Sequence, residues 1–78
     1  MNIDIQEARR LIMLVVKNNL SGVDYPRFDR IFVRKMPEVI FGDELKLIPL
    51  LHQMVEEGIL QYHNNGSYIK GSNFPDNF

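Results

Sequence analysis

The sequence predicts an α+β domain: three helices followed by a two-stranded β-hairpin. Three observations carry that prediction. Apolar residues recur at helical spacing within residues 4–20, 24–36 and 43–57. After Gly58 the spacing switches to strand-like alternation. Asn65-Gly66 then lies between the two alternating segments, and this dipeptide tolerates the positive φ that a tight type I′ turn requires. The chain of 78 residues fits one small domain, expected to span residues 1–71. Residues 72–78 have no periodicity. Docking through Phe74, Pro75 and Phe78, or disorder, are both open for this tail.

The first helix is expected to start at Asp4. Asp4 and Glu7 match the spacing of a capping box, and Ile3 and Ala8 sit where a weak hydrophobic staple forms. Ile5, Ala8, Leu11, Ile12, Val15 and Val16 make one apolar face, which Met13 and Leu14 widen, so the helix is expected to be well buried. Ser21-Gly22 is expected to end it. The second helix starts near Asp24, with Pro26 in its first turn, where a missing N–H costs little. Phe28, Ile31 and Phe32 face inward. Arg27, Arg30 and Arg34 share an outward strip, joined by Lys35. Pro37 stops this helix and pushes Met36 toward extended geometry. The connection PEVIFG is apolar, so Val39, Ile40 and Phe41 are expected to anchor it in the core or to form a short extended segment.

The third helix is expected from an N-cap at Asp43 to about Glu57, with Leu47, Leu50, Leu51 and Met54 inward. Pro49 interrupts it. A proline in a regular helix interior costs about 3 kcal/mol. The sequence therefore predicts either a kink at Pro49 or a helix that begins close to it. In the hairpin, a two-residue Asn65-Gly66 turn pairs His63 with Tyr68 and Tyr62 with Ile69. That register puts Leu60, Tyr62 and Ile69 on the core face, and Gln61, His63, Tyr68 and Lys70 on the other.

Composition narrows the function classes. The hydrophobic share of 45% argues for a folded chain. With no cysteine there is neither a disulfide scaffold nor a thiolate metal site, which suits a reducing compartment such as the cytoplasm. MNIDIQEARR is mixed in charge and has no apolar stretch, so no secretory signal is expected. The longest apolar run, Leu11 to Val16, is too short to span a bilayer.

Catalysis finds little support. No phosphate loop, nucleophile elbow or His-x-x-x-His pair is present. His52 and His63 lie on different elements and no third ligand is placed with them, so neither a metal nor another cofactor is expected. Asp43-Glu44 and Glu56-Glu57 are adjacent pairs, and neighbours on a helix diverge by about 100°, so neither pair converges on a substrate. Asp43 and Glu44 are better read as helix-capping groups that complement the dipole.

The formal net charge is −1. Its distribution matters more than its total. Arg27, Arg30, Arg34 and Lys35 outweigh Asp24 and Asp29 on the second helix. Lys46 stands alone against Asp43, Glu44, Glu56 and Glu57 on the third, whose outward face is expected to carry Glu44, Lys46, Pro49, Gln53 and Glu56.

The stretch DELKLIPLLHQMVEEGILQYHNNGSYIKG, Asp43 to Gly71, resembles the C-terminal half of the winged helix-turn-helix superfamily. The resemblance implies that the third helix is the recognition helix and the hairpin the wing. It implies a small DNA-binding regulator, cytoplasmic, with a homodimer as an option. Arg27, Arg30, Arg34 and Lys35 would then anchor the DNA backbone. Lys46 and Gln53 would contact bases, and Lys70 would support the wing. The alternative is a winged-helix module or accessory subunit that binds another protein. It would use apolar residues of the Val39–Phe41 segment and the Phe74/Phe78 tail as anchors.

Overall fold

A computed structural model of the chain describes residues 4–41 and 46–78. It is an α+β arrangement of α1 (Ile5–Lys17), α2 (Tyr25–Lys35), α3 (Pro37–Phe41) and α4 (Leu47–Glu56), then β1 (Leu60–Tyr62) and β2 (Tyr68–Lys70). The described residues thus hold four helices where the sequence predicts three. The expected staple at Ile3 and the expected N-cap at Asp43 lie outside them.

Asp4 caps α1, its Oδ1 accepting the Glu7 N–H at 3.2 Å. Ala8, Ile12, Val15 and Val16 are buried beneath it. Leu14 is 45% exposed, so the apolar face is narrower than expected. The helix ends at Lys17, before Ser21-Gly22. Gly22, at φ +113°, belongs instead to the turn that leads into α2. Just beyond it, Val23 exchanges two backbone hydrogen bonds with Tyr68, at 2.9 and 2.8 Å. This single bridge binds the loop before α2 to the edge of β2.

Asp24 caps α2, accepting the Arg27 N–H at 3.2 Å, with Pro26 in the first turn. Phe28 and Phe32 are fully buried. Before Pro37, Met36 leaves helical geometry at φ −143° and ψ 67°, short of the fully extended backbone expected there. Pro37 then begins α3. A proline lacks the N–H that a first helical position leaves unpaired, and its φ is already helical. One residue therefore stops one helix and starts the next, which is why the expected loop is a helix. Val39 is buried and Ile40 packs against the core. Phe41 is 73% exposed and does not anchor the segment in the core.

α4 begins close to Pro49, the second of the two alternatives the sequence leaves. Its first backbone bond runs from the Leu50 N–H to the Lys46 carbonyl at 3.3 Å. Pro49 precedes that first donor, so its missing N–H breaks no helical bond. Gly58, at φ +81°, ends the helix. The Ile59 N–H bonds the Met54 carbonyl and the Gly58 N–H bonds the Val55 carbonyl, each at 3.0 Å, the Schellman pattern.

The strands are antiparallel, with Leu60 opposite Lys70, Gln61 opposite Ile69 and Tyr62 opposite Tyr68. This register is one residue away from the expected one. The connection is a 3-10 turn, Asn64–Gly66, closed by the His63 N–H on the Ser67 carbonyl at 2.8 Å. Gly66 takes φ +74°, as in a three-residue loop that ends in a left-handed glycine. A one-residue slip exchanges the faces of one strand relative to the other, so Tyr68 joins Leu60 and Tyr62 on one face and Ile69 moves to the other. Tyr68 is buried at 7% exposure and Tyr62 is exposed at 53%, the reverse of the expected assignment. Packing explains the choice: Tyr68 sets its ring edge-on to Phe28, centroids 5.9 Å apart, while bridging Val23. After β2, Phe74 is buried and Phe78 packs against the core. The Asn73 side chain donates to the Glu57 carbonyl at 2.9 Å, tying this segment to the end of α4.

Candidate nucleic-acid interface

Arg27, Arg30, Arg34 and Lys35 are all exposed on α2, and the fold divides them between two grooves. Arg27 and Arg30 line a polar groove with Ser21, Gly22, Asp24 and the hairpin residues His63, Asn64 and Ser67. The Val23–Tyr68 bridge creates this groove by drawing the start of α2 against the hairpin turn. Gly22 permits the approach, since a Cβ there would come within 2.9 Å of the Ser67 Oγ. The Ser67 hydroxyl donates to the Asn64 carbonyl at 2.8 Å and stiffens the turn. Asp24 is the acid of the groove, and one of its oxygens already caps α2.

Arg34 and Lys35 lie in a second groove, between α1 and the junction of α2 with α3. Asp4, Glu7, Arg10 and Glu38 share it over an apolar floor of Leu11, Leu14 and Met36. The arginine strip is thus one strip in sequence and two electrostatic settings in space: cationic beside the hairpin, mixed in sign beside α1.

The remaining predicted residues line neither groove. Lys46 precedes α4 beside an apolar cleft formed by Tyr25, Val39, Ile40, Leu47, Ile48 and Pro49. The Gln53 amide donates to Glu57 Oε2 at 3.2 Å. Glu57 also receives a forked contact from Arg9 of α1, with Nη1 to Oε2 at 3.4 Å and Nη2 to Oε1. The Arg9 guanidinium holds the Glu57 carboxyl below the usual carboxylate range. Gln53 therefore belongs to a helix-tying cluster. Lys70 sits at the base of the hairpin, its Nζ 5.0 Å from the Phe74 ring centroid, a cation–π contact.

Sequence reasoning missed the aromatic surface beside these residues. His52 and Tyr62 are exposed and meet edge to face, centroids 6.3 Å apart. Tyr62 in turn packs against Tyr68 at 5.5 Å. The rings form a continuous path from buried Phe28 to the surface. Burial raises the Tyr68 phenol above its ordinary pKa, and Tyr62 adds to the shift. The signal for this surface lay in the hairpin register, since the observed pairing sets Tyr62 directly opposite Tyr68 on one face.

Among the described residues, no three potential metal ligands converge, and no helix is long and apolar enough to cross a membrane. Compared with protein-family profiles, curated proteins and solved structures, the chain has no match.

Proposed function

We propose that this chain is a winged helix-turn-helix nucleic-acid binder, a small regulatory protein that holds duplex DNA through Arg27 and Arg30. The order of elements supports the reading: a helix, a bridge residue, further helices, then a hairpin. The observation that carries it is the polar groove in which these two arginines face the hairpin turn. The two guanidiniums there are planar forked donors of the kind that bind phosphate oxygens. In this arrangement α2 crosses the backbone and α4 lies toward the bases. The net charge of −1 and exposed Glu56 on α4 keep the affinity modest.

The experiment is a titration of labelled duplex DNA at several salt concentrations, with wild type beside R27A/R30A. The double variant is expected to bind about tenfold or more weakly at low salt, whatever the sequence, and to flatten the salt slope by about 2. Absence of wild-type binding at low salt, or equal binding by both proteins, refutes the proposal.

A second reading, docking of another protein, is favoured by one observation. Ile48 is 48% exposed on the rim of the apolar cleft that Tyr25, Val39, Ile40 and Pro49 share. Binding there would bury apolar surface and respond little to salt.

A further inference from the structure

The groove between α1 and the α2–α3 junction is built of two walls of opposite charge. Asp4 and Glu7 stand on the α1 side, Arg34 and Lys35 on the other. Each wall carries one residue of the other sign, Arg10 with the acids and Glu38 with the bases. Despite this opposition, none of the six forms an ion pair with another described residue, where the one such pair is Arg9–Glu57. Between the walls Leu11 and Leu14 leave apolar surface open, with Leu14 45% exposed.

A partner of one sign would gain at one wall and lose at the other. A partner with the same two walls in reverse order would gain at both. A second copy of this chain, turned by a two-fold axis, has that arrangement. In an isologous contact, residue i meets j on the partner and j meets i, so acid wall meets basic wall twice. The Leu11 and Leu14 surfaces then face each other at the centre, where apolar area gives affinity while the charged rim sets register.

We infer that this groove is the interface of a symmetric homodimer, held by Leu14 at the centre and by Glu7 against Arg34 of the second copy on each side. The inference does not rest on nucleic-acid binding. The test is sedimentation equilibrium of the full chain from about 1 μM to about 1 mM, in low salt without DNA. Wild type is expected to dimerise in this range. Glu7→Lys alone and Arg34→Glu alone are each expected to weaken the dimer about tenfold or more, because each change acts twice across the axis. Combining them restores opposite charges across the interface, and the double variant is expected to return to within about threefold of wild type. Leu14→Asp is expected to abolish association. All three positions, Glu7, Leu14 and Arg34, are exposed, and circular dichroism checks that each variant keeps the wild-type fold. A wild type that stays monomeric throughout overturns the inference and leaves the groove to a different chain. Single reversals without effect, or a double variant no tighter than the singles, overturn it equally.

Discussion

Gly71 is where this fold should tolerate a methyl group least. Its N–H bonds the Ile59 carbonyl at 2.9 Å, bringing the strand that leaves the hairpin against the end of α4. A Cβ on Gly71 would lie 2.1 Å from the Gly58 carbonyl oxygen and 2.8 Å from both the Gly58 carbon and the Leu60 oxygen. All three are backbone atoms, so no side chain can rotate away. Relief requires the two segments to separate by about 1 Å, which strains the Ile59–Gly71 bond and the left-handed Gly58 together. Overpacking of this kind costs about 3 kcal/mol or more. A chain of 78 residues has a total stability of roughly 4–12 kcal/mol, so the loss is a large fraction of it. The melting temperature of Gly71→Ala should fall by roughly 12–24 °C. Gly66→Ala is the control. Its φ is +74°, but a Cβ there meets nothing within 4 Å, so only the left-handed backbone is penalised, by about 1 kcal/mol. Urea denaturation followed by circular dichroism measures both. If Gly71→Ala loses less than Gly66→Ala, the close approach of Gly58 and Gly71 is not a constraint on the fold and the reasoning fails.

Two further changes probe single features. Pro49→Ala should alter stability by no more than about 0.5 kcal/mol, because Leu50 is the first backbone donor of α4 and the proline displaces no bond; a urea midpoint shift worth about 3 kcal/mol would place Pro49 inside a regular helix instead. Stability should also fall as pH rises above the ordinary tyrosine pKa, since unfolded Tyr68 releases its proton there while the buried phenol retains it; Tyr68→Phe should reduce that alkaline loss, and parallel losses in urea melts of both proteins at high pH would show that Tyr68 does not cause it.

Local chemistry was legible where one residue type has one structural use. Asp4 and Asp24 announce helix starts because a carboxylate before an apolar-periodic run has an N–H to accept. Gly58 announces a helix stop for the complementary reason. Pro37 and Asn65-Gly66 have two uses each. Proline ends a helix and begins one equally well, and the sequence reading took only the first. Asn-Gly fits a two-residue turn, but it also fits a three-residue loop in which Gly66 alone is left-handed. Tertiary packing selects between them, because only the second register seats Tyr68 on Phe28 and Val23. The site suffered from the same gap. The arginine periodicity on α2 was visible, yet its division between two grooves depends on what approaches from residues 4–14 and 63–67. No local pattern specifies that approach.

Two arginines in a polar groove make a weak hold on a polyanion, since each phosphate neutralised contributes only a limited counterion gain. A nearly neutral chain cannot add much through its overall field. For nucleic-acid binding to be specific, the remaining affinity has to come from geometry, from a second pair of arginines set at a defined distance. The groove beside α1 is suited to supply that. In the inferred dimer, Arg34 and Lys35, the cations of the same strip that lie beside acids, would join copies rather than meet phosphate. The division of the α2 strip then has a physical sense. Its first half faces the hairpin in a cationic setting, where an anion would bind, while its second half faces carboxylates and in the inferred dimer would pair with those of another copy. Glu56 is the one charged residue within α4, and on the proposed reading a dimer that held the backbone at two places would not need positive charge on that helix.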